Sequence, residues 1–218
     1  MGLQDIELRE AYRSDRNDLI AEFFEPCLRN CVEYSRCVET VSIRNLSKLA
    51  LGLDNFTARR VRMRVICGHR FDASELELLS RLFGKKNGKA LFGGSIIKDA
   101  KMAMLRSVIA EHQIEIRIAI PNMEMVGSFA ERGGIFVDEN GDMVAFVGTS
   151  SDAFSHKTSN FESLDVFTSW NDRSRVKLKF QDFDDLWENK TKYVDVYNFV
   201  QAEKNSLLKY SSQLILDL

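Results

Sequence analysis

Two hydrophobic periods alternate along this chain, and that alternation restricts the fold more than any other feature of the sequence. Helical spacing covers residues 18–34, where Leu19, Ile20, Phe23, Phe24, Leu28, Cys31 and Val32 share a stripe, with Pro26 as a possible kink point. A β-branched run from Cys37 to Ile43 predicts a strand, Asn45 to Phe56 returns to helical spacing, and Val61 to Cys67 alternates apolar residues with Arg62 and Arg64. The order repeats further on. Helices are predicted over 71–83 and 97–112, and strands over 114–120, 134–137, 143–147 and 163–168. The Asn140-Gly141 pair marks a hairpin between the second and third of these strands. Residues 176–190 read as strand then helix, and 194–216 as an amphipathic tail. Such alternation predicts an α/β fold with a mixed central β-sheet flanked by helices on both faces. One domain over residues 1–192 followed by a helical extension over 193–218 is the expected organisation.

Charge limits the partners. Lys and Arg number 30 against 32 for Asp and Glu, a formal charge of −2, so no global positive field draws the chain to nucleic acid and any such contact must be local. Two basic clusters stand out, Arg59, Arg60, Arg62 and Arg64 around one strand, and Lys85, Lys86 and Lys89 in a glycine-rich loop. For both, a solvated face is the simpler reading. That loop, GKKNGKALFGGS, lacks the spacing of a phosphate-binding P-loop. Cys27, Cys31, Cys37 and Cys67 form no CxxC pair and have no histidine at zinc-ligand spacing, so buried thiols in a reducing compartment are expected and no metal or cofactor. No apolar run approaches membrane-spanning length, and the N-terminal segment has no signal-like apolar core. Cytoplasmic residence without membrane association is the expectation.

The chemistry is concentrated in residues 129–170, FAERGGIFVDENGDMVAFVGTSSDAFSHKTSNFESLDVFTSW. This segment resembles the second half of the phospholipase D-like (HKD) domain associated with bacterial DEAD/DEAH-type and related helicases and with restriction or defence nucleases, which reads HxKxGIFxDxxGxxVAFxGSxN followed by NxESxDVFxSW. The match includes Gly134, Ile135, Phe136, Asp138, Gly141, Val144, Ala145, Phe146, Gly148, Asn160, Glu162, Asp165 and Trp170 at fixed spacing. A weaker likeness runs through residues 18–67, where Glu39 to Ile43 replace the family's aromatic-glycine strand end.

The resemblance implies a metal-independent phosphodiesterase ancestry, in which the motif histidine attacks phosphorus, the lysine stabilises phosphoryl charge and a second histidine protonates the leaving oxygen. Two such motifs meet across a two-fold axis, within a chain or in a homodimer. Here Ala130 occupies the nucleophile position, Arg132 the lysine position, and Thr149 and Ser151 replace the serine and asparagine of GSxN. A methyl group cannot attack phosphorus. Deliberate replacement and natural loss would both leave an alanine. Because Arg132, Thr149, Ser151 and the strand end differ together, natural loss is favoured.

Arg132 keeps a planar cationic fork suited to phosphate oxygens, and Asn160 and His156 are further candidates for phosphate or DNA contact. An ion pair of Arg132 with Glu162 or Asp152 is the competing structural reading, and His156 is the histidine nearest the site in sequence. Three functions are implied: an inactive module that binds DNA or a helicase or other defence-system protein; a divergent metal-independent nuclease; or a structural dimerisation protein.

Overall fold

The computed structural model describes residues 1–42, 61–83, 99–111, 113–122, 127–148 and 161–210. Ten strands and five α-helices occur among them. They are β1 (Ala11–Arg13), α1 (Glu25–Asn30), β2 (Glu33–Val38), β3 (Arg62–Gly68), β4 (Arg70–Phe71), α2 (Ala73–Phe83), α3 (Asp99–Ala110), β5 (Ile114–Pro121), β6 (Gly133–Val137), β7 (Met143–Gly148), β8 (Ser163–Thr168), α4 (Arg173–Trp187), β9 (Val194–Asn198), α5 (Phe199–Lys204) and β10 (Lys209–Tyr210). Eight strands form one sheet in the order β1-β8-β7-β6-β2-β3-β5-β9, and β4 and β10 form a small parallel pair. The trio β2-β3-β5 is parallel, while every other neighbour in the large sheet is antiparallel. The expected mixed sheet is therefore present, with helices on both faces.

Alternate residues of the central strands feed two cores, as a strand buried on both sides requires. On one face Tyr34, Met63, Val65, Ile116, Phe136 and Phe146 pack against α2, α3, α5 and the segment preceding β2. On the other, Cys37, Ile66, Ala119, Ile135 and Ala145 lie beneath Val176, Phe183, Leu186 and Trp187 of α4. Aromatic rings dominate the first core. Tyr34 stacks on Phe136 with centroids 4.4 Å apart, and Phe23 and Phe24 meet Phe136 and Phe146 edge-on.

The structure corrects several boundaries. The first helical segment is a π-turn (Ile20–Phe24) running into α1, and it stops at Asn30 rather than continuing to residue 34. Pro26 explains the π-turn. Having no N–H, it cannot donate to the Glu22 carbonyl, which instead accepts a long bond from the Tyr12 hydroxyl at 3.5 Å. β2 begins at Glu33, four residues ahead of the predicted strand, and ends at Val38. Ser35 and Arg36 are buried inside β2, and these polar residues mask its strand character in the sequence. Residues 45–56 lie outside the described residues.

Residues 176–190 are not strand then helix. Helix α4 occupies Arg173–Trp187, with the Asp172 side chain accepting from the Arg175 amide as its cap. The expected helical extension after residue 192 opens instead with β9, which pairs antiparallel with β5 and so belongs to the main sheet. Asn198 then caps the short α5, in a capping box with Gln201.

The arginines of the first basic cluster part company. Arg62 is half-exposed and pairs with Glu115. Arg64 is buried beneath α4, bonded to Glu33 at 2.5 Å and Asp184 at 2.7 Å, with its guanidinium over the rings of Phe183 and Trp187. It ties sheet to helix and offers nothing to a phosphate. Arg59, Arg60, Lys85, Lys86 and Lys89 lie outside the described residues.

Candidate functional site

Strand direction gathers Ala130, Arg132 and Glu162 at one end of the sheet. The carboxyl ends of β1, β2, β3, β5 and β7 and the amino ends of β6 and β8 share that edge. There the sheet changes from parallel (β3-β2) to antiparallel (β2-β6), a place where chains leaving adjacent strands diverge and open a crevice.

Three glycines set the spacing. At Gly68 a β-carbon would stand 2.7 Å from the Glu39 carbonyl oxygen and 3.4 Å from that of Phe129, so its absence lets the 129–132 segment close over the ends of β2 and β3. At Gly133 a side chain would meet the Phe146 carbonyl at 2.7 Å. Gly148 has a φ of +119°, and a β-carbon there would fall 2.3 Å from the Ser163 carbonyl oxygen. Its amide donates to the Arg132 carbonyl at 3.1 Å, which joins the end of β7 to the start of β6.

Within this frame Ala130 is exposed on the segment leading into β6, and the buried Phe129 anchors that segment. Two residues on, Arg132 extends its guanidinium to the carboxylate of Glu39, which follows β2. Both side chains are about two-fifths exposed, at 40% and 41%. The Arg132 Nε is buried and has no hydrogen-bond partner among the described residues. The ion pair thus joins Arg132 to Glu39, and not to Glu162, one of the two partners the competing reading offered; the other, Asp152, lies outside the described residues. Sequence reasoning noted the altered strand end but missed Glu39 as the partner. A carboxylate one position past a central strand, at the edge where a cation is expected, is the signal that could have revealed it.

Glu162 is buried just ahead of β8, where its amide donates to the Ser14 hydroxyl at 2.9 Å and its carbonyl accepts from the Ser14 amide at 3.0 Å. This ties β8 to the end of β1. Thr149, Ser151, Asp152, His156 and Asn160 lie outside the described residues, as does His112. His69, the first residue after β3, is buried, and its Nδ1 has no partner among the described residues. Burial, reinforced by the Lys209 and Arg70 charges, holds its imidazole below the ordinary value. Among the described residues the Arg132 guanidinium bonds Glu39 and no histidine.

Beside Arg132, a cleft of about 710 Å³ opens between the sheet and α4. Glu131 and Arg132 line it from the sheet, and Lys179, Asp182, Asp185 and Lys190 from the helix side, so opposite charges are interspersed. Burial raises the Glu131 carboxyl, with Lys179 opposing and Asp182 adding to the shift. The residue keeps contact with solvent, which limits the effect. Burial also pushes the Cys27 and Cys37 thiols well up, and all four cysteines are buried thiols outside any disulfide, packed as small core residues. Among the described residues no group of three or more metal-ligating side chains converges, and no helix is long and apolar enough to cross a membrane.

No family model matches the chain, and a search of curated proteins finds no match. Solved structures with a related chain path include NucT from Helicobacter pylori, at 12% identity over 86% of this chain and 97% of that one, with a TM-score of 0.45. TrmBL2, described as an archaeal chromatin protein, aligns at 15% identity over 85% of this chain and 54% of its own, with a TM-score of 0.43. Yeast tyrosyl-DNA phosphodiesterase aligns at 10% identity over 80% of this chain and 37% of its own, with a TM-score of 0.39. The chain therefore spans about half of TrmBL2, little more than a third of the yeast enzyme and nearly all of NucT. At such identities and scores, function has to be argued from the site itself.

Proposed function

We propose that this chain is a phospholipase D-like module that has lost the family's chemistry and binds the phosphodiester backbone of DNA at Arg132. The observation that carries the proposal is the guanidinium itself. It stands half-exposed at the crevice, and among the described residues its buried Nε lacks a partner and its one ion-pair partner is the Glu39 carboxylate, which an incoming phosphate can displace. Ala130 supplies no nucleophile at the motif position. Such a module holds DNA without cutting it, as a homodimer in the cytoplasm and in company with a helicase or another defence-system protein. Support for the homodimer and for the helicase or defence-system partner is the motif resemblance over residues 129–170, and for the cytoplasm the lack in the sequence of an apolar run of membrane-spanning length.

A gel-shift series with single-stranded, duplex and branched DNA, run beside a nuclease assay in EDTA, tests the proposal. The expected result is a shift that weakens with added salt, is lost in Arg132→Ala and is accompanied by no cleavage. Cleavage in EDTA that depends on Arg132 would instead establish a surviving phosphodiesterase, and absence of any shift would leave only a structural role. Light scattering on the purified chain reads the oligomeric state.

A further inference from the structure

Phe161 is the most exposed aromatic ring among the described residues, with 64% of its surface in solvent, and it sits at the same sheet edge as Arg132. It immediately precedes the buried Glu162, so the backbone that presents it is fixed by the paired Ser14–Glu162 bonds. One side of the ring is already occupied. The Arg13 guanidinium lies 4.7 Å from the ring centroid, placed there by the pairing of Arg13 with Ser163 between β1 and β8.

We infer that Phe161, backed by Arg13, is a stacking platform for an unpaired base of a single-stranded nucleic acid whose backbone is held at Arg132. The inference rests on the phosphodiester reading of Arg132 and deepens it by naming the form of the ligand. Along the edge, the Arg132 end of β6, Gly148 of β7 and the Phe161 end of β8 are successive neighbours. Two strand spacings, roughly 10 Å, therefore separate the two anchors at the backbone, a gap that a phosphate and the base of a neighbouring nucleotide bridge in an extended strand.

Physical chemistry favours the single strand. A π-face pairs with any base but only when that base is unstacked, and duplex DNA keeps its base faces covered. The chain carries a net charge of −2, so it lacks the field that lets strongly basic proteins bind duplexes through phosphates alone. Stacking supplies attraction that does not depend on that field. The Arg13 cation behind the ring strengthens it while Asp15, 3.5 Å from the same guanidinium, limits the local positive charge.

Fluorescence anisotropy with three labelled ligands of equal length tests this: oligo-dT, an abasic oligomer with the same backbone, and a duplex. The intact chain should prefer oligo-dT over the abasic strand by roughly 5- to 100-fold, the range that stacking of one base gives. Phe161→Ala and Phe161→Leu should both erase that preference and leave abasic binding unchanged, whereas Phe161→Tyr should keep it. Arg132→Ala should weaken oligo-dT and abasic strands alike. If oligo-dT binding is insensitive to Phe161→Ala and Phe161→Leu yet falls in Arg132→Ala, the platform is wrong and the phosphate reading survives. If none of the three ligands binds, both are wrong.

Discussion

At Arg132 and Glu39 two side chains of opposite charge act together. An arginine where the related motif has lysine would add a bidentate fork for phosphate, while a glutamate at the neighbouring strand end occupies that fork with a carboxylate of the protein's own. The pair is half-exposed, so its contribution to folding is small, under about 1 kcal/mol. If Arg132 takes a phosphate as proposed, the pair's effect on ligand affinity is larger, because a negative charge within contact distance opposes an incoming phosphate by about 1 kcal/mol even in water. Glu39→Gln should therefore tighten binding of single-stranded DNA by about fivefold while moving the denaturation midpoint little. Titrations of both chains at equal ionic strength read this directly, and weaker binding in the variant would show that Glu39 orients Arg132 rather than competing for it. The motif spacing makes Arg132 visible in the sequence. Its partner is not visible, because Glu39 stands 93 positions away in the chain and meets it only when β2 and β6 pair.

Among the elements, the β6–β7–β8 meander was the most legible, since each strand has one clear period and a turn signal follows β6. The 143–147 and 163–168 predictions fall within a residue of β7 and β8. β2 was the least legible, because a central strand buried on both faces hides polar residues where pattern reading looks for an apolar run. The glycines between elements carry information of a different kind. Gly148 is held at a positive φ against the Ser163 carbonyl, so Gly148→Ala introduces both backbone strain and a clash with a neighbouring strand's main chain. A loss of about 2–4 kcal/mol is expected, read as a lower midpoint in urea with an unchanged slope. A variant as stable as the parent would mean that β7 and β8 separate more easily at the site than their register implies.

For the whole molecule, the burial of His69 predicts a sensitivity to acid. Its imidazole is buried and held below the ordinary 6.5 in the folded chain, so near and below pH 6.5 the unfolded chain binds the proton more readily. The stability associated with the neutral ring is complete above pH 6.5 and declines as pH falls through the folded value. Glu131 has the opposite sign: its raised carboxyl contributes stability that is complete below its ordinary 4.5 and fades as pH rises through the folded value. Thermal melts between pH 7.5 and 5.5 should show a Tm that falls on acidification, and His69→Gln should flatten that slope. An equal slope in the variant would assign the acid response to other groups.

The division between sequence and tertiary structure follows from how far each interaction reaches along the chain. Hydrophobic period, turn residues and motif spacing act over a few residues, and they alone determined the α/β class, the hairpin at Asn140-Gly141 and the absence of a histidine at residue 130. The pairing of Arg132 with Glu39, the burial of Arg64 beneath α4, the entry of β9 into the main sheet and the placing of Arg13 on Phe161 needed the assembled sheet. Each joins residues far apart in the chain or depends on which neighbour a strand finds, and only the packed structure decides that.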